Sequence, residues 1–458
     1  MAVKYDAIVV GAGIGGLAAA LMLSHRGRKT LLLEKHRFLG GRCSSFDKEG
    51  FHCDLGVHLI SRSDKGPTGD VLRRVGIPNP VKYVYVRPRS SYQGKVRTYP
   101  HDFKDMVPEK DFNGLMNFLG EIRSMPEEKM KGYDYTPLQT FLSQYTQEPL
   151  LHSWVQSICG IYIGCPIETA STGEFMRCLK WEAEARASGY PDGGCSAIAD
   201  AYGDPFRKFG GEIKLGAKVQ KIEVERGSAK GVMVGDELYQ SDLVVSNADI
   251  QNTVLNLVGA DYFPSDYVER IKGLTYTGGG GMVVRMALDK ILTDIHMLGN
   301  ITSLDRGEQA RNIQQGIIPD ELNLMLVVPS NFSNKIAPEG KQYVCTAGGG
   351  GGVATKEMKE ALKEAVIRTA DKIIPGLREN LLWVNTMTGE EIENMLGEHG
   401  AGIGVQQTVD QVGDRRPKIN TPIEGLYIVG CEAGGQGVGI ELAANSAMEF
   451  MDEHCPIA

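Results

Sequence analysis

A chain of 458 residues is longer than one hydrophobic core usefully fills, and its 42% hydrophobic and 23% charged residues are ordinary for a globular protein. This composition excludes disorder and fibrous repeats, and a net charge of −8 with no basic block leaves no electrostatic footprint for nucleic acid. Glycine is the outlier at 57 residues, about twice its usual share.

In chain order, the first element is Ala7-Ile-Val-Val10, a short apolar run of the kind buried on both faces of a parallel sheet. Gly11-Ala-Gly13-Ile14-Gly15-Gly16 follows at once, and Leu17 to Leu23 continue at helical spacing. In such a unit the first glycine makes a tight turn, the second lets backbone approach a pyrophosphate, and the third packs helix on strand. The new helix then offers unpaired N–H groups and a positive pole to phosphate. Four glycines interrupt the apolar stretch, so it is not read as a membrane span. It lacks the charged n-region and cleavage site of a signal peptide.

The next strand, Thr30 to Leu33, ends on Glu34 and Lys35, which puts a carboxylate about 20 residues beyond the glycines. An acid there accepts hydrogen bonds from ribose hydroxyls and repels a 2′-phosphate. Glycine turn, helix, strand and acid together predict a dinucleotide site. Leu39-Gly40-Gly41-Arg42 then brings backbone and a forked guanidinium to a diphosphate.

From Asp102 to about Ala187 the pattern is helical and rich in methionine and aromatic residues, which predicts a helical cap with its own core. Such residues also line adaptable apolar tunnels. Residues 275–288 and 322–347 read as strands of a second sheet, and Lys356 to Ile374 as an amphipathic helix. The runs Gly278–Gly281 and Gly348–Gly352 lack the spaced acid of a nucleotide fold and are read as close backbone approaches. Near the end, Leu426 to Val429 is a strand, and Gly430-Cys431-Glu432 through Gly437, Gly439 and Ile440 form a second glycine turn and helix start. The nine cysteines contain no C-x-x-C and no zinc spacing, so reduced thiols in a cytoplasmic protein are expected. The terminal Cys455-Pro-Ile-Ala matches a prenylation box only superficially.

The opening "GAGIGGLAAALMLSHRGRKTLLLEKHRFLGGRCSSF" with "GFHCDLGVHLI" resembles the phytoene desaturase branch of the flavin amine oxidase superfamily. The stretches "YPDGGCSAIADAYGDPFRKFGGEIKLGAKVQKIEVERG", "SDLVVSNAD" and "RRPKINTPIEGLYIVGCEAGGQGVGIELAANSA" resemble it in the same order. The resemblance implies an α/β fold: an FAD-binding, Rossmann-like (GR2-type) domain from residues 1–75, 195–265 and 400–458. Residues 76–194 and 266–399 would form an inserted α+β substrate domain, a mixed sheet with a helical cap. It implies one FAD clasped by both chain ends, with Val219, in the β-hairpin that follows a helix, holding the adenine by its backbone. Gly402 and Gly404 would give room to the flavin ring, and the helix start near Gly439 would point at it.

The chemistry implied is hydride transfer between flavin N5 and a carbon–carbon bond of a small lipophilic substrate. His58 and His399 are the candidate catalytic groups, and Tyr162 and Glu174 the candidate substrate contacts. The electron acceptor is left open, as is peripheral contact with a bilayer. Two other readings compete. Amine and porphyrinogen oxidases share the superfamily, although amine oxidases usually set an aromatic pair before the flavin and none is evident near Cys431 and Glu432. Prenyl-binding Rab GDP-dissociation inhibitors share the fold without FAD, but the intact turn, Glu34 and Arg42 argue against that role.

Overall fold

The computed structural model describes residues 4–56, 59–87, 89–277, 281–302, 306–348, 352–353, 355–397 and 399–456. Ala7–Val10 and Thr30–Glu34 pair in parallel at the middle of a five-stranded sheet. Val244–Ser246 flanks the first strand on its other side, Leu426–Ile428 lies beyond it, and Glu212–Leu215 closes the opposite edge. All four pairings are parallel.

Alternation explains why Ala7-Ile-Val-Val carries no polar residue. Ala7 and Val9 enter the layer built with the helix Ile14–His25, while Ile8 and Val10 enter the layer beneath the antiparallel strands Lys221–Glu225 and Ser228–Val234. The helix Ile14–His25 is buried on every side from Ile14 to Ser24, wedged against the helices Ser196–Lys208 and Gly439–His454. That is why it is apolar all round rather than amphipathic.

One expectation needs correction. The chain after Ser196–Lys208 does not turn straight into a hairpin: Glu212–Leu215 first joins the parallel sheet beside Thr30–Glu34. The Gly216 and Ala217 N–H groups then bond to the carbonyls of His36 and Glu34, at 2.8 Å each. The hairpin forms only afterwards, from Lys221–Glu225 and Ser228–Val234 with Glu237–Gln240 as a third strand. The detour lays Ala217 to Val219 alongside Glu34.

The second sheet has seven strands in the order Leu381–Thr388, Met282–Leu288, Gln342–Gly348, Leu324–Val327, Met297–Ile301, Arg89–Tyr92 and Lys95–Arg97. It is antiparallel except where Met297–Ile301 meets Arg89–Tyr92. One face is covered by the amphipathic helix Lys356–Ile373. The other face sends Val283, Met297, Val327 and Cys345 into the same core as Ala7 and the first helix. The two sheets are therefore joined through one apolar layer.

The cap consists of the helices Glu109–Ser124, Leu138–Leu142, Pro149–Tyr162 and Thr172–Ala185 with short turns between them. Phe118, Met130, Phe141, Trp154, Phe175 and Met176 interdigitate inside it. Most of its methionines and aromatics are thus core residues, while Tyr135 is exposed.

Candidate functional site

The two glycine turns open onto one cavity. The helix at Ile14 starts from Gly13 and the helix at Gly439 from Val438, neither with a side-chain cap. Three helices elsewhere carry side-chain caps, Ser171 accepting from Glu174 N–H, Thr355 from Met358 N–H and Thr388 in a capping box with Glu391, while others such as Glu109–Ser124 and Ser196–Lys208 start without one, so what sets these two starts apart is that they face the cavity. A helix start left open beside a cavity keeps its N–H groups and positive pole for an anion.

Asn247 pins the turns together. Its Nδ2 donates to the Val429 carbonyl at 2.8 Å, and a Cβ placed on Gly13 or Gly430 would lie 2.6 Å from its amide group. A Cβ on Gly15 would lie 3.0 Å from Gly430 Cα, so the two turns touch backbone to backbone. Gly11, Gly13, Ile14 and Gly15 line the cavity with Gly430, Cys431, Glu432, Gly439 and Ile440. Gly16 does not: its Cβ would meet the Gly11 carbonyl oxygen at 2.1 Å, so it serves the close fit of helix on turn. Gly404 and Gly437 also stand off the cavity. A Cβ on Gly404 would strike Cys431 at 2.8 Å, and the Gly437 carbonyl accepts from Gln407 at 3.2 Å.

At the nucleotide end, Glu34 is only 6% exposed. Its two oxygens accept the N–H groups of Ala12 at 2.7 Å and His36 at 2.9 Å, which fixes the carboxylate at the strand end. Lys35 and Val219 line the same end. Lys35 Nζ donates to the Leu396 carbonyl at 2.6 Å, and burial holds the ammonium below its ordinary pKa. Arg42 Nη2 lies 3.2 Å from Cys431 Sγ, whereas its buried Nη1 has no partner. A diphosphate would supply the oxygen that Nη1 lacks, so the cradle fits the dinucleotide the sequence predicts. Half-buried Glu432 accepts from Ile250 N–H at 2.6 Å, and desolvation together with the Asp249 charge raises its pKa.

The cavity, about 1070 Å³, continues past Gly41 and Gly402 into the space between the cap and the ends of the second sheet. There it is walled by Ile161, Met282, Val283, Met325, Ile392 and Ile403. Pockets for a single small ligand run to roughly 1,000 Å³ at most, and this one has two differently composed halves. Its methionines come from the sheet, not from the cap.

His399 lines the cavity at positive φ (59°), with Nδ1 3.1 Å from Asp249 and its ring stacked 3.6 Å from that of Tyr276. Its neighbours Leu396 and Gly397 sit on Lys35, which ties its loop to the strand end that carries Glu34. His58 lies outside the described residues. Tyr162 and Glu174 do not reach the cavity. Tyr162 packs against the cap core, and Glu174, 2% exposed, pairs with Arg177 at 2.8 Å. Sequence reasoning missed Asn247, Asp249, Lys218 and the pair Arg62–Glu441. The motif "SNAD" contained the first two, but nothing in its spacing says that an asparagine side chain locks two glycine turns. Among the described residues no helix is long and apolar enough to cross a membrane.

Glu441, in the first turn of the C-terminal helix, accepts from Arg62 N–H at 2.9 Å and Arg62 Nε at 3.0 Å. Arg62 in turn covers the Trp181 ring. Next to this pair burial pushes the pKa of Glu182 up to about 7, opposed by a hydrogen bond from Ser188. A carboxyl that holds its proton more tightly when folded favours folding while protonated. Its contribution is complete below the unfolded carboxylate range and is lost as pH rises through about 7. In the flavin-free protein Glu182 should therefore contribute a loss of stability between about pH 4.5 and 7, and Glu182→Gln should remove that contribution, read as the difference between variant and wild type in denaturant titrations across that range.

An α/β dinucleotide fold whose two glycine turns meet at one cavity, with an apolar chamber beyond, fits a flavin-dependent oxidoreductase. Residues 14–449 match the family described as flavin containing amine oxidoreductase. The chain belongs to that family, and its cofactor is FAD. It is 25% identical to a chloroplastic prolycopene isomerase from Daucus carota, over 95% of this chain and 78% of that one. It is 24% identical to a phytoene desaturase from Fusarium fujikuroi, over 97% and 88% of the two chains. It is also 26% identical to an all-trans-retinol 13,14-reductase from Macaca fascicularis, over 64% and 55%. Among solved structures, an oxidoreductase from Methanosarcina mazei superposes with a TM-score of 0.73 at 21% identity, covering 98% of this chain and 100% of that one. Putrescine oxidase superposes with a TM-score of 0.68 at 12% identity, covering 98% and 99%.

Proposed function

We propose that this enzyme moves a hydride between FAD and a carbon–carbon bond of a lipophilic, isoprenoid- or polyene-like substrate, as a desaturase or a saturase. The observation that carries the reading is the continuity of the cavity from the glycine cradle to an apolar chamber. FAD, when bound, supplies a two-electron acceptor or donor at N5. Residues 1–75, 195–265 and 400–458 then form the cofactor unit, and the insertions 76–194 and 266–399 the substrate unit.

Within it, Glu34 fixes the ribose, and the Val219 backbone borders the adenine. Arg42 and the open helix start at Gly13 hold the diphosphate. Gly402 makes room for the ring, since a Cβ there would lie 2.2 Å from the Thr277 carbonyl oxygen and hold the loop away. The second open helix start, at Gly439 and Ile440, offers N–H groups and a positive pole where negative charge on the ring needs stabilising. The apolar wall orients the substrate and keeps water out.

One feature separates this reading from an amine oxidase. Among the described residues no Phe, Tyr or Trp lines the cavity, and its four acids, Glu34, Asp249, Glu432 and Glu441, all lie in the cofactor unit. A cationic amine would find neither an aromatic face nor a carboxylate in the chamber. The test is anaerobic mixing of the FAD-loaded protein, oxidised and reduced, with unsaturated isoprenoids, amines and porphyrinogens. Flavin absorbance should change with the isoprenoids alone. A response to amines or porphyrinogens without one to the isoprenoids would overturn the reading.

A further inference from the structure

The chamber ends on a charge that hydride transfer does not require. Met282, Gly348 and Leu324 stand side by side at one end of the second sheet, and Asn323 immediately precedes the last of them. The strand Met297–Ile301 ends there too, and the chain then enters the helix Arg306–Gln314. Arg306 lines the cavity over Gly160 of the cap, where a Cβ would lie 2.5 Å from its Nη1. The absence of a side chain at 160 is what gives the guanidinium its place.

Arg306 Nε is buried without a partner, and among the described residues no carboxylate pairs with this guanidinium. Burial lowers its pKa, with the Cys159 thiol as the opposing influence. Beside it the amides are already committed. Gln309 Oε1 accepts from Asn323 N–H at 2.6 Å, and Asn323 Nδ2 donates to Thr302 Oγ1 at 3.0 Å. The result is a polar shelf around a guanidinium that has no anionic partner among the described residues. Taking a guanidinium part-way out of water without a counter-charge is unfavourable, and a ligand that brings the charge to its buried Nε removes that cost.

Resting on the polyene reading above, we propose that the substrate is an unsaturated lipophilic carboxylic acid, its carboxylate held by Arg306 and its chain running back along the apolar wall toward the glycine turns. The charge balance selects a carboxylate. Arg306 is the single basic side chain that the inserted domain's described residues contribute to the chamber besides His399 at the far end, while Lys35, Arg42 and Lys218 belong to the nucleotide half. One planar fork matches one planar carboxylate in a bidentate pair. A diphosphate head would need further cations.

The experiment uses FAD-loaded protein and two fluorescent probes, cis-parinaric acid and its methyl ester, with wild type, Arg306→Met and Arg306→Lys. Wild type should bind the acid about 10- to 100-fold more tightly than the ester. Arg306→Met should abolish that preference while keeping flavin content and ester affinity, and Arg306→Lys should keep part of it. Equal affinity for acid and ester in wild type, or an unchanged preference in Arg306→Met, overturns the carboxylate assignment and leaves the polyene reading standing. If neither probe binds but butyrate perturbs the flavin spectrum in an Arg306-dependent way, the anion site stands and the polyene reading falls. No response to any of the three rejects both.

Discussion

Glu34→Arg should strip the enzyme of its flavin, weakening FAD binding by about 100-fold or more. The carboxylate does two jobs from one fixed position. It accepts the Ala12 and His36 N–H groups at 2.7 and 2.9 Å, which shapes the glycine turn, and it retains lone pairs toward the cavity for ribose hydroxyls. Hydrogen bonds to a charged acceptor contribute about 1.5–3 kcal/mol each, and each 1.4 kcal/mol is about tenfold in affinity. An arginine there loses them, frees the Ala12 N–H and adds a cation beside Lys35. FAD titration of the apoprotein measures the loss, and circular dichroism shows whether the fold survives. Full flavin occupancy after purification would contradict the ribose assignment.

Arg177→Met should destabilise the cap by about 3–5 kcal/mol, because it leaves two buried carboxylates without their cation. Arg177 pairs with Asp134 at 2.6 Å and Glu174 at 2.8 Å, and all three side chains are under one-tenth exposed. This cluster ties the turn before Leu138–Leu142 to the helix Thr172–Ala185. Urea unfolding followed through Trp154 and Trp181 reads the cap directly. Replacing all three together, Asp134→Val with Glu174→Leu and Arg177→Met, should recover most of the loss, since an apolar set of similar volume substitutes for a buried ion cluster. A change under about 1 kcal/mol in the single variant would show that the cluster does not hold the cap. Flavin content should stay unchanged, because none of the three lines the cavity.

The same residues show what was legible in the sequence. Glycine turns, the apolar strand and Glu34 announce themselves because backbone geometry dictates residue type at fixed short spacing. Glu174 and Tyr162 were misplaced because a helix in a cap has several faces, and only three-dimensional packing decides which one meets the cavity. Gly160 and Gly164 line it; Tyr162 does not. Nothing in the sequence around His399 records the Lys35 to Leu396 hydrogen bond, which ties its loop to the strand end that carries Glu34. Gly404, expected from the resemblance, and Gly437, expected from the second helix start, do not line the cavity: Gly404 fits closely against Cys431, and the Gly437 carbonyl accepts from the Gln407 side chain. Asn247 and Arg306 were invisible for a different reason: their partners lie far off in sequence, on elements whose convergence no local pattern records.

The account stands on a single FAD spanning both glycine turns. A crystal structure of the FAD-loaded protein tests this most directly. It should show one FAD per chain, with adenosine against Glu34 and Val219, diphosphate against Arg42 and the helix start at Gly13, and the ring between Gly402 and Gly439. A ring placed elsewhere, or separate ligands at the two turns, would contradict it.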